Sequence, residues 1–93
     1  MVTKELKDTV PMMESADYKE RFKAEYLQTK IRYEKLKNFN TRIEAACRTV
    51  CCDNAVEEPK HDCPPDLLLD QQRVMGEYLH LLEVRAVIEN IEL

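Results

Sequence analysis

Apolar and polar positions alternate with a helical period in two segments of this 93-residue chain. In the first segment, an advance of about 100° per residue places a broad apolar stripe on one side of a helix. Ala24, Leu27 and Ile31 lie on nearly the opposite side, which is enough for a second, smaller contact. The pattern predicts a long helix whose main stripe packs against the second segment. The stripe consists of Tyr18, Phe22, Tyr26, Tyr33, Leu36, Phe39, Ile43, Cys47 and Val50.

The second segment is apolar nearly all the way around. A helix of this kind is buried on several sides, and one partner helix about 10 Å across cannot cover it. The pattern therefore predicts self-association, with a heterologous partner or docking of the N-terminal residues as alternatives. More than half of the circumference is covered by Leu67, Leu68, Val74, Met75, Tyr78, Leu79, Leu81, Leu82, Ala86 and Ile88, and much of the remainder by Leu69, Val84, Val87 and Ile91.

Proline, glycine and capping residues define the predicted ends of the two helices. Ser15 suits an N-cap, and neither proline nor glycine interrupts the chain from there to about residue 50. Residues 51–65 hold three prolines and are predicted to form a loop. A proline in the first turn suits the start of a second helix over about 66–92, which only Gly76 interrupts.

The first 14 residues form a separate N-terminal arm in this prediction. Pro11 disfavours helix at Val10 and is not expected inside a helix itself. Residues 15–93 then form one domain. The predicted fold is all-α, a long antiparallel helical hairpin that self-associates into a helical bundle.

Composition and charge restrict the class of protein further. The chain is 44% hydrophobic and 34% charged with one glycine, which is unlike a disordered tail or a turn-rich β sandwich. A net charge of −4 provides no global field for bulk nucleic acid, so any anion site must be local. Neither a membrane span nor a secretory signal is recognisable. The expected location is the cytoplasm.

A row of basic residues follows one edge of the apolar stripe in the first helix. Ammonium and guanidinium groups bind phosphate, and flat aromatic rings stack on bases. Tyr26, Lys30, Tyr33 and Lys37 are therefore predicted to bind a nucleotide-type anion. The alternative is that the lysines snorkel beside the core while the tyrosine hydroxyls stay in water. The row, within about 40° of the helix circumference, is Lys19, Lys23, Lys30, Lys37 and Arg48.

Arg85 and Glu89 are spaced i to i+4 on the apolar side of the second helix. Charges in such a position are unfavourable unless they are paired. They could satisfy each other, specify the register of an oligomer, or face a polar ligand between subunits. Arg85 is therefore the fifth candidate ligand-binding residue.

The stretch "CRTVCCDNAVEEPKHDC" holds all four cysteines. Cys47 and Cys51 on one side and His61 and Cys63 on the other could supply four zinc ligands, although the spacing matches no named finger. On the apolar stripe, Cys47 is also suited to act as a small hydrophobe. Motifs for redox, phosphate-loop, metalloprotease or serine chemistry are missing. We expect neither an enzyme nor a cofactor, and a zinc-stabilised module remains an alternative.

Two stretches carry a resemblance to a known group of proteins. "YKERFKAEYLQTKIRYEKLKNF" and "HDCPPDLLLDQQRVMGEYLHLLEVRAVIENIEL" resemble small helical proteins encoded by phages and prophages of gut bacteria, related to those of crAss-like phages. The resemblance covers about residues 17–46 and 61–93 and excludes Cys47, Cys51 and Cys52. In size and architecture the chain is also similar to phage sponges that sequester the nucleotide signals of CBASS and Thoeris immunity.

The resemblance implies a function in immune evasion. We expect a homo-oligomeric protein in the host cell cytoplasm that sequesters a cyclic oligonucleotide or related signal without cleaving it. The alternative is a structural or adaptor protein that binds a phage or host protein through its apolar helix face.

Overall fold

The first helix and the second helix pack side by side in a computed structural model, which describes residues 5–93. These residues form helices and connecting segments without a strand, so the all-α prediction is confirmed. Residues 1–4 of the predicted arm lie outside the described residues. The elements are a 3-10 turn at Leu6–Thr9, followed by α1 (Val10–Met13), α2 (Tyr18–Arg48) and α3 (Pro65–Glu89).

Helix α2 begins after Asp17, two residues later than the predicted N-cap at Ser15. The Asp17 backbone is extended, and its side chain accepts a hydrogen bond from the Lys19 amide at 3.0 Å. Ser15 Oγ accepts from the Asp17 amide at 3.0 Å and so closes the turn before the helix. Asp17 therefore caps the helix in place of the predicted Ser15, because it combines an extended backbone with a side-chain acceptor.

The N-terminal segment is helical and docks on α2, contrary to the expectation for Val10 and Pro11. Val10 has helical backbone angles, and Pro11 lies in the first turn of α1, where its missing N–H has no intrahelical partner to lose. Thr9 is fully buried, and Gln28 Nε2 donates to its Oγ1 at 2.9 Å. Ala24 lies one turn before Gln28 and is also fully buried. The smaller apolar side of α2 therefore receives the chain's own N-terminal segment.

Helices α2 and α3 run antiparallel, because hydrogen bonds join the start of one to the end of the other. Tyr18 Oη donates to Glu89 at 2.8 Å, and Asn40 Nδ2 donates to Gln72 Oε1 at 2.9 Å near the loop. The hairpin prediction is thereby confirmed. Its buried cluster consists of Phe22, Tyr26, Leu79, Leu82, Ala86 and Ile91, with Tyr33 packed against it.

The end of α3 is closed by a left-handed residue. Asn90 has φ of 58°, and the Ile91 amide donates to the Ala86 carbonyl oxygen at 2.8 Å. This arrangement satisfies carbonyl groups that the helix leaves without partners. It also turns Ile91 into the core, where it is buried.

The last part of the predicted α2 stripe is exposed. Cys47 and Val50 were expected in the core, yet Cys47 is exposed and Val50 is 75% exposed. Asn40 already lies level with Leu68, whose carbonyl oxygen accepts from it at 3.1 Å. Because α3 begins only at Pro65, the final turn of α2 extends past it and has no partner helix there.

Helix α3 buries only part of its apolar circumference within the chain. Leu79, Leu82 and Ala86 are buried against α2, whereas Leu81 and Ile88 are largely exposed. This division is consistent with the prediction that one helix cannot cover α3, and self-association stays a prediction. Within residues 5–93, no helix combines the length and apolar character needed to cross a membrane.

Truncation of Leu82 should strongly destabilise the hairpin. Leu82 is 1% exposed, and Leu→Ala at such sites costs about 2–5 kcal/mol through lost burial and the cavity that remains. Val87 is 82% exposed, so Val87→Ala should change the free energy of unfolding by less than about 0.5 kcal/mol. Urea unfolding followed by circular dichroism measures both. Equal losses for the two variants would contradict this arrangement of the core.

Candidate functional site

A shallow pocket of about 190 Å³ lies along one flank of the α2–α3 contact. It brings together three of the five predicted site residues, Tyr26, Lys30 and Tyr33. Helix α2 supplies these because positions 26, 30 and 33 recur on one face of a helix. The remaining lining residues are Glu34 from α2 and Gly76, Leu79, His80 and Glu83 from α3.

The floor of the pocket depends on the only glycine of the chain. A β-carbon placed at Gly76 would lie 3.3 Å from Cε1 of Tyr33, closer than ordinary van der Waals contact. The Tyr33 ring can therefore lie flush against the α3 backbone. Glycine inside a helix costs about 1 kcal/mol relative to alanine, and here it gives room for the aromatic ring.

Tyr26 belongs both to the buried core and to the lining of the pocket. Its ring is 7% exposed and belongs to the buried cluster, while its hydroxyl donates to Glu83 Oε2 at 2.6 Å. Burial, reinforced by the hydrogen bond to the Glu83 carboxylate, raises the pKa of Tyr26 to about 12. Of the two tyrosines predicted to bind a ligand, Tyr33 has the more accessible ring, because it is only partly buried whereas Tyr26 is buried.

Charges of both signs surround the pocket. Lys30 Nζ lies 5.7 Å from the centroid of the Tyr26 ring, a distance at which a cation is attracted to the ring face. Glu34 and Glu83 are exposed carboxylates on the rim, and His80 adds an exposed imidazole. The pocket can therefore offer a cation to an anionic group and carboxylate oxygens to hydroxyl or amino groups.

Lys37 lies outside the pocket lining. It is exposed and follows Lys30 by two helical turns on the same side of α2. Lys19 and Lys23 lie on the same side, nearer the start of α2. Lys19 Nζ donates to the Asn90 carbonyl oxygen at 3.3 Å. Lys23 forms an ion pair with Glu20 at 3.5 Å. The basic row thus runs past the pocket in both directions.

Arg85 lies apart from the pocket, at the end of the hairpin near the α2 N-terminus. Its guanidinium donates to Glu89 at 3.1 Å and to Tyr18 Oη at 2.7 Å, and lies 5.0 Å from the centroid of the Phe22 ring. The hydrogen bond from Tyr18 is the largest cause that lowers the pKa of Glu89. The mutual pairing of Arg85 and Glu89 is confirmed, and the structure uses Arg85 to join the two helices.

Five pocket residues were not among the predicted site residues: Glu34, Gly76, Leu79, His80 and Glu83. His80 is exposed on α3 beside the pocket. Gly76 carried a signal, since an isolated glycine inside a helical pattern often marks close packing. Glu34 and Glu83 carried none, because acidic residues on a helix surface are ordinary.

The four candidate zinc ligands are not brought together. Within residues 5–93, the structure has no group of three or more His, Cys, Asp and Glu side chains that could hold a metal ion. His61 is used otherwise, because its Nδ1 lies 2.7 Å from the Cys63 carbonyl oxygen and its ring meets Phe39 edge-on. Cys47, Cys51 and Cys63 are free and exposed.

Comparison with known families identifies the chain's relatives. The model of the Sequestin family matches residues 16–88, which is most of the chain. The chain belongs to the Sequestin family. The matched range includes all residues that line the pocket, and the family name fits the predicted sequestering role. No match was found among curated proteins, and none among solved structures.

The burial of Tyr26, together with its hydrogen bond to Glu83, should lower the stability of the protein at alkaline pH. The pKa of Tyr26 in the folded state is raised from 10 to about 12. Its contribution to the free energy of unfolding is therefore complete below pH 10 and is lost as the pH rises toward 12. Urea unfolding of the wild type at pH 9 and pH 11 should show a larger loss than the same measurement on Tyr26→Phe. Identical losses in the two proteins would contradict this account of Tyr26.

Proposed function

We propose that this Sequestin-family protein binds a nucleotide-type immune signal in the pocket around Lys30 and Tyr33, and sequesters it unchanged. The observation that carries the proposal is the Lys30 ammonium group near the Tyr26 ring, in a pocket that the Tyr33 ring also lines, on the flank of the hairpin. A base and a phosphate are the two ligand groups that suit this pair. The family name supports a sequestering role.

In this proposal different side chains of the pocket bind different parts of the ligand. The base stacks on Tyr33 above Gly76, and a phosphate accepts hydrogen bonds from Lys30. Glu34 accepts hydrogen bonds from hydroxyl or amino groups of the ligand. The Glu83 carboxylate oxygen that is not bonded to Tyr26 can do the same. The two carboxylates disfavour a ligand with densely packed negative charge, since like charges repel at short range.

The size of the pocket suggests how the rest of the ligand lies. Its volume of about 190 Å³ is below the roughly 300–1,000 Å³ typical of small-molecule sites. One hairpin would therefore hold one nucleoside part, and further phosphates would lie along the basic row toward Lys37.

The chemistry of the lining favours binding over conversion. None of the eight lining residues is a serine, threonine or cysteine, so a hydroxyl or thiol nucleophile of the usual kinds is missing from this pocket. Of the two tyrosine hydroxyls in the lining, that of Tyr26 keeps its proton because its pKa is raised to about 12. On the basis of the resemblance to phage and prophage proteins, we propose that this sequestration serves immune evasion in the host cytoplasm.

Isothermal titration with cyclic dinucleotides, cyclic trinucleotides and ADP-ribose isomers tests this function. We expect at least one to bind, and Lys30→Glu to weaken it by roughly 10- to 100-fold, because a charged hydrogen bond contributes about 1.5–3 kcal/mol. Tyr33→Leu should also weaken it, since stacking contributes about 1–3 kcal/mol per base.

Lys35→Glu is the matched control. Lys35 is exposed on the same helix but lies about 140° around it from Lys30, so the same change of charge should leave affinity within about twofold of the wild type. Circular dichroism of each variant verifies that the helices are retained. Failure of every compound to bind at high micromolar concentration would refute the function, and equal losses in Lys30→Glu and Lys35→Glu would refute the site.

A further inference from the structure

Six large apolar side chains form a continuous exposed stripe along α3, here called the outer stripe. Four of them recur at seven-residue intervals, and the other two flank these, so that all six lie within about 120° of the helix circumference. Their exposed fractions run from 40% at Tyr78 to 77% at Ile88. The outer stripe consists of Leu67, Val74, Tyr78, Leu81, Val84 and Ile88.

The outer stripe and the pocket lie on opposite flanks of the α2–α3 contact. Glu25 and Tyr26 are neighbours on α2, and each is hydrogen-bonded across the contact. Glu25 accepts from Tyr78 of the stripe, whereas Tyr26 donates to Glu83 of the pocket. A partner on the outer stripe would therefore leave the pocket open.

The exposed area is large for a monomer. Six side chains that are each about half exposed present on the order of 500 Å² of apolar surface, near the upper end of the patches found on monomeric proteins. Interfaces are only about 57% apolar, so a stripe of this size implies on the order of 800 Å² per partner. That area is the standard for a stable complex of two proteins.

The shape of the stripe matches a second α3. The span from Leu67 to Ile88 is 21 residues, or about 32 Å of helix, and a seven-residue period lets a neighbouring helix follow it throughout. Another copy of the chain supplies a helix of the same length and period. In a two-fold contact each copy covers the stripe of the other, so both exposed faces are buried at once.

We propose that the outer stripe is the self-association surface of this protein and that its partner is the α3 outer stripe of a second copy. The surface specifies one two-fold contact between two hairpins. This inference does not depend on the proposed ligand, because the pocket lies on the opposite flank.

Light scattering coupled to size-exclusion chromatography tests the proposal between roughly 1 and 200 μM, the range in which interfaces of this size assemble. We expect the wild type to have the mass of a dimer and Leu81→Glu the mass of a monomer. Leu81 is 60% exposed in the single hairpin, so this change should leave helix content by circular dichroism unaltered.

Leu69→Glu is the matched control, since Leu69 is a leucine of the same helix, 53% exposed, and outside the outer stripe. It should remain a dimer. Should Leu81→Glu lose its helix content, Ile88→Glu decides instead, because Ile88 is 77% exposed. A monomeric wild type would overturn the proposal and favour a heterologous partner. Dimers that survive both stripe variants, or dissociate equally with Leu69→Glu, would overturn it as well.

Discussion

Contact between α2 and α3 is the interaction on which every other feature of this protein depends. The N-terminal segment covers only the smaller apolar side of α2, so Phe22, Leu79 and Leu82 supply much of the buried surface that holds α2 and α3 together. Side chains at both ends then determine the register. Tyr18 reaches Glu89 at one end, and Asn40 reaches Gln72 at the other. Such hydrogen bonds are satisfied in one alignment only, which adds specificity to a contact whose apolar part is tolerant of sliding.

The pocket lies where the contact between α2 and α3 ends on one flank. Tyr26 buries its ring in the core and presents its hydroxyl to Glu83, so the same residue stabilises the hairpin and forms the pocket wall. Gly76 allows Tyr33 to approach the α3 backbone closely. Because stability and the binding surface share these residues, substitution of Tyr26 or Gly76 affects both. Lys30 is exposed and affects chiefly the binding surface.

The hairpin therefore has two flanks with different chemistry. On one flank, the basic row and the pocket offer cations, carboxylates and an aromatic ring to a polar ligand. On the other, the outer stripe offers a mainly apolar surface with the length and period of a helix. In our proposals the first flank binds the signal and the second binds another copy of the chain. This division would let self-association and ligand binding be altered independently.

The sequence by itself determined the helical class, the hairpin and the clustering of Tyr26, Lys30 and Tyr33, because these follow from periodicity along single helices. It did not determine which half of α3 is core, why Arg85 lies apart from the pocket, or that Cys47 and Val50 are exposed. Those outcomes depend on how far α3 extends alongside α2 and on its rotation about its own axis. An almost uniformly apolar helix does not encode that rotation, so the tertiary contact with α2 decides it.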